Sequence, residues 1–173
     1  MSARPGFGKV AAMSSTAAFA IRRQEQTRIY FGQYMADVAL PVFARGPGYA
    51  ETIVTDLPQI ASAPDTEAGF VLDFDRKLAL LFDSVVCWDR DEARVNGWTL
   101  GAGVRADGFA RLDLLPEEQC LVEILKSSES FEQLASRLQA VGLADTWRDW
   151  ELRWGSRAEF VAYASAWVRN TVP

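Results

Sequence analysis

From Gly69 to Asp83 the chain reads Gly-Phe-Val-Leu-Asp-Phe-Asp-Arg-Lys-Leu-Ala-Leu-Leu-Phe-Asp. If Asp75, Arg76 and Lys77 form a three-residue turn, Phe74 faces Leu78, Leu72 faces Leu80 and Phe70 faces Phe82. Side chains alternate across a strand, so this register collects those six apolar residues on one face and sends Val71 and Asp73 to the other. The segment therefore predicts an antiparallel β-hairpin with a core side and a solvent side. Leu80 to Trp88 reads as a longer strand, and the pairs Asn96-Gly97 and Asp107-Gly108 favour tight turns. Together they predict a meander of four to five strands over about 69–115.

Helical signals flank this block. From Ser14 or Ser15 to Leu40 the residues are compatible with a helix, with Phe31, Met35, Val38 and Val42 on one side, and Pro41 is expected to end or kink it. Residues 45–68 carry Gly46-Pro47-Gly48, Pro58 and Pro64, and read as a long connection with at most a short element around Ala50 to Thr55. Pro116-Glu117-Glu118 starts a helix. Ser130-x-x-Gln133 and Ser156-x-x-Glu159 are capping boxes, and Gly142 followed by Leu143 is a helix stop. Leu143, Trp147, Trp150 and Trp154 fall at helical intervals, and Phe160, Val161, Ala164, Trp167 and Val168 form another apolar face. The expected fold class is α+β: a meander with an N-terminal helix and three to four C-terminal helices packed on one face. Residues 1–13 read as a flexible tail and 14–173 as a single domain.

Of the 173 residues, 49% are hydrophobic and 24% charged, a balance suited to a core that buries roughly 70% of the unfolded chain's surface. Cys87 and Cys120 lie far apart in apolar surroundings, without the Cys or His partners of a zinc set, and read as small buried residues of a reducing compartment. The net charge is −5 and the isoelectric point about 4.8. It is unevenly spread: residues 1–50 carry +4, residues 51–128 carry −8 and residues 129–173 carry −1. Nucleic acid is not the expected partner, because phosphate binding needs a concentrated basic face. No run approaches the ~18 apolar residues of a membrane span. The apolar stretch after Arg4 and Lys9 is interrupted by Ser14, Ser15 and Thr16, so a tail is expected rather than a secretory signal, and the location expected is cytoplasmic.

There is no histidine, which removes Ser-His-Asp and Cys-His catalysis and the commonest physiological proton shuttle. With three lysines, Lys9, Lys77 and Lys126, a Schiff-base role is not expected. Phe70 to Asp75 resembles the hydrophobic strand and Asp-x-Asp of the haloacid dehalogenase-type phosphotransferases, but Arg76 and Lys77 stand where that family has a small residue and a hydroxyl, and no later acidic metal segment follows. Two solvated aspartates at a strand end account for the same letters. Asp89-x-Asp91 begins like a calcium loop and departs from it at Ala93, Arg94 and Leu100. Gly6-Phe7-Gly8-Lys9 lacks the upstream glycine and the hydroxyl residue of a phosphate loop. No metal, cofactor or catalytic residue is expected.

The expected function is that of a non-enzymatic acidic protein-binding module. The order of an N-terminal helix, a meander and a last helix with Phe160 and Trp167 is similar to acidic secretion chaperones, which implies masking or escorting a partner, as a toxin-neutralising immunity protein also does. The partner expected is a basic protein, met by Asp83, Asp89, Asp91 and Glu92, with Trp154 and Arg157 as an aromatic-arginine surface. The alternative is a small-molecule-binding domain, or an enzyme working through carboxylates and tyrosines, with Tyr30 and Tyr34 lining a cavity between sheet and helices. A homodimer completing an apolar helix face is a third expectation.

Overall fold

The run Ala17 to Ile21 is apolar at every position, which suits a strand covered on both faces as well as it suits a helix. In the computed structural model, which describes residues 16–83, 116–141 and 147–168, it is a strand. β1 (Thr16–Arg23) and β2 (Gln26–Gln33) form an antiparallel hairpin, followed by α1 (Ala36–Ala44), α2 (Pro47–Thr55), β3 (Gln59–Ile60), β4 (Ala68–Asp73) and β5 (Leu78–Asp83). α3 (Pro116–Ser127), α4 (Phe131–Ala140), β6 (Glu151–Trp154) and α5 (Arg157–Val168) complete the described elements. The six strands form one sheet in the order β3-β2-β1-β4-β5-β6.

The class is α+β, but the sheet is mixed rather than a meander. β1 runs parallel to β4 and β5 parallel to β6, while the β1–β2, β2–β3 and β4–β5 pairs are antiparallel. Over most of its length the expected N-terminal helix is replaced by the β1–β2 hairpin, and only its last residues, 36–40, are helical, as the start of α1. Helical spacing misleads here because β1 is buried on both faces and shows no alternation. Its turn, moreover, carries neither Asn nor Gly: Gln24 and Glu25 both adopt positive φ, 53° and 61°, the twist that two-residue hairpins require. Strand pairings expected within 84–115, Cys87, the Gly142 stop and the tail 1–13 lie outside the described residues.

The 69–83 hairpin forms, in a register shifted by one. Asp73 pairs with Leu78, Leu72 with Ala79, Val71 with Leu80 and Phe70 with Leu81, leaving a four-residue turn. Asp73 Oδ1 accepts from the amides of Asp75 and Arg76, each at 3.0 Å, and Lys77 takes φ 53°. A slip of one residue moves β5 to the opposite face relative to β4. Phe70, Leu72, Ala79 and Leu81 enter one core, and Val71, Leu80 and Phe82 enter a second. Every residue of β4 and β5 is buried.

Helices cover both faces, not one. Against the first lie α1, α2, α3, α4 and the Trp147–Trp150 turn, and against the second α5 through Phe160 and Ala164. Phe43 is the hub of the first core, stacked on Trp147 with centroids 4.7 Å apart and 5.8 Å from Phe70. Pro41 sits inside α1 instead of ending it; the helix loses one internal bond there, which the burial of Ala39, Leu40, Phe43 and Ala44 offsets. The tryptophan segment is not a helix. Trp147 and Trp150 are buried around a turn, Trp150 N–H donating to Trp147 O, and Trp154 ends strand β6. Cys120 is exposed rather than buried.

The local signals for helix starts hold. α3 begins at Pro116. Ser130 Oγ accepts from Gln133 N–H at 3.2 Å, and Ser156 and Glu159 cap each other's amides at 3.2 and 2.6 Å.

Burial of both sheet faces makes a clear prediction at Val71, which a hairpin with one solvent face would leave exposed. Val71→Ala removes two methyl groups from a fully buried site and costs about 2 kcal/mol from lost transfer energy and a residual cavity. Urea denaturation reads this directly, and a midpoint unchanged from wild type places Val71 in solvent.

Candidate functional site

Strand directions divide the exposed chemistry between two ends of the sheet. One end holds the β1–β2 and β4–β5 turns side by side, because β1 and β4 are parallel neighbours. There Asp75 reaches across: its Oδ1 accepts from Gln24 N–H at 2.8 Å and its Oδ2 from Glu25 N–H at 2.9 Å, with Arg22 Nε at 3.4 Å. These amides, the Glu25 bond foremost, hold the Asp75 carboxyl below its ordinary 3.8. Arg23 forms a two-point pair with Glu51, at 3.0 and 2.6 Å, and lies 3.9 Å over the Phe74 ring. The hydrogen bond to Glu51 raises the Arg23 pKa. Phe74 in turn meets Trp150 edge-on at 5.2 Å.

The Asp73-x-Asp75 pair is thus engaged in building turns. Asp73, expected in solvent, is fully buried; its Oδ1 takes the two turn amides, and its Oδ2 lies 3.9 Å from Arg76 Nε. A solvated strand end does not describe it.

The opposite end gathers the start of β1, the ends of β2 and β5, the start of β4 and the end of β6. Of the residues expected to bind a partner, Asp83 is buried as the last residue of β5, and Trp154 is half-buried at the end of β6, its ring 5.6 Å from Phe131. Arg157 opens α5; it pairs with Asp65 and donates to Thr66 O at 3.2 Å. Asp89, Asp91 and Glu92 lie outside the described residues. Asp83, Trp154 and Arg157 therefore share one end of the sheet.

Tyr30 and Tyr34 do not share an environment. Tyr30 is buried in the first core, whereas Tyr34, at φ 64°, is 69% exposed.

Beside Arg157 the loop after β3 and α5 enclose a shallow groove of about 470 Å³, open to solvent and lined by Ala63, Pro64, Asp65, Ala158, Val161, Ala162 and Ser165 with Arg157. Small apolar side chains form its floor, and the Asp65–Arg157 pair stands at its rim. Among the described residues no three Cys, Asp or Glu side chains converge as a metal site, and no helix is long and apolar enough to cross a membrane. Sequence reasoning found Arg157 but missed Asp65 and Ala63, because nothing local in the 45–68 connection announces a pairing with a helix far along the chain.

No protein-family model, curated protein or solved structure matches the chain.

The Asp75 clamp carries a pH signature. Its folded pKa is depressed, so its contribution to stability is complete well above pH 3.8 and is lost as the pH falls through the folded value. Asp75→Asn is expected to be less stable than wild type at pH 7, with the gap closing toward pH 3 in urea melts. A gap of constant size across that range removes the carboxylate charge from the account.

Proposed function

We propose that this protein is an acidic, non-enzymatic protein-binding module whose partner is basic and docks at the sheet end that carries Asp83, Trp154 and Arg157. The groove between the 63–65 loop and α5 carries this reading. It is shallow, open and floored by small apolar side chains, a shape suited to an extended or helical protein segment rather than to a small polar substrate, which is normally enclosed by convergent polar groups. The net charge of −5 favours a cationic segment. Asp89, Asp91 and Glu92, which follow Asp83 in the chain, add to the acidity of that stretch of sequence. Masking or escorting a basic partner, in the manner of an immunity protein or a secretion chaperone, is the activity such a module supports.

The test uses synthetic amphipathic peptides with one apolar face and either a lysine-rich or a glutamate-rich opposite face, titrated by fluorescence anisotropy at low and physiological salt. The basic series is expected to bind, and more weakly as salt rises. Ala162→Trp, which fills the groove, is expected to abolish binding, whereas Glu132→Ala, on α4 over the other face of the sheet, leaves it intact. Reversing Asp89 and Asp91 to lysine is expected to slow association. Equal binding of both series, or binding indifferent to Ala162→Trp, defeats the proposal.

A further inference from the structure

Among the described residues β6 is an edge of the sheet, paired on one side with β5. Its phase is set by two ladder bonds: Glu151 N–H donates to Lys77 O and Gly155 N–H to Leu81 O, each at 2.9 Å. The backbone groups of residues 151, 153 and 155 are thereby turned toward β5, and alternation turns the N–H and C=O of Leu152 away from it. Leu152 and Trp154 place their side chains on the first core. Glu151 and Arg153 occupy the other face, about half exposed, and pair with each other at 2.6 Å.

The geometry points to self-association through this edge, with β6 of a second copy lying antiparallel and the two-fold axis at Leu152. Three features select that occupant and that register. The outward amide and carbonyl of Leu152 meet those of the same residue in the second copy, forming the two reciprocal bonds of a hydrogen-bonded antiparallel pair. Glu151 then falls opposite Arg153 of the second copy, twice by symmetry, at the non-hydrogen-bonded positions where facing side chains are closest. Axes at Glu151 or at Arg153 would instead set like charges face to face, which disfavours them. Charged residues on a short edge strand ordinarily repel a neighbouring strand; here their opposite signs, two residues apart around Leu152, make the edge complementary to itself. A contact of four residues per chain is small beside a stable interface, so the association expected is weak and concentration-dependent.

Sedimentation equilibrium on the full chain tests this. The weight-average mass is expected to rise from 19.2 kDa toward twice that between micromolar and millimolar protein. Glu151→Arg or Arg153→Glu alone puts like charges at two facing pairs and is expected to weaken the dimer roughly tenfold or more. The double variant Glu151→Arg/Arg153→Glu restores the opposition and the dimer, and an equimolar mixture of the two single variants forms a heterodimer. Both side chains are exposed, so the melting temperatures are expected to stay close to wild type. A mass that remains at 19.2 kDa up to millimolar protein overturns the inference, as does a dimer indifferent to the single reversals or one that the double reversal fails to restore.

Discussion

The parallel contact between β1 and β4 is the constraint on which the rest of the structure depends. It brings together two strands buried on both faces, and near their start the Cβ that Gly69 lacks would run into the carbonyl oxygen of Ala18. A side chain there forces the two strands apart. Because β1 and β4 are neighbours, their turns lie side by side, and Asp75 can tie one to the other. Because both faces of these strands are apolar, helices are required on both sides, and among the described residues four with the Trp147–Trp150 turn cover one face and α5 the other.

The electrostatics follow from the same arrangement. Three carboxylates in the middle of the chain build local structure: Asp73 organises the β4–β5 turn, Asp75 holds the β1–β2 turn, and Glu51 fixes Arg23 over Phe74. Carboxylates that accept backbone amides or guanidinium groups define geometry more than surface potential. The proposed docking of a basic segment draws instead on the chain's net charge of −5, at the end of the sheet away from the turns. Edge pairing through β6 would leave that groove accessible, since α5 packs on β2, β4 and β5.

Helix-start chemistry was legible in the sequence. The serine cap at Ser130, the capping box at Ser156 and the proline start at Pro116 are short-range devices, complete within about a turn, and they hold because nothing distant is needed to form them. The existence of the 69–83 hairpin was legible too, since two apolar runs around a charged turn have few alternatives. Its register was not. When only one face of a sheet is buried, alternation chooses the register, but here both faces are apolar, and the choice passed to Asp73, whose carboxylate accepts two amides and lengthens the turn to four residues.

The chain alone determined the mixed class, the acidity, the lack of histidine chemistry and the local punctuation, because each is a property of composition or of contacts within a few residues. Tertiary structure decided what the ambiguous apolar segments became. Residues 17–21 are strand rather than helix because β4 and β2 flank them, and Gln24 and Glu25 adopt positive φ because a carboxylate some fifty residues away receives their amides. Trp154 lies on a strand, despite its helical spacing, because β5 offers a ladder. The Asp65–Arg157 rim of the groove exists only once α5 returns across the sheet. Each of these rests on a partner distant in sequence, and local periodicity carries no record of such partners.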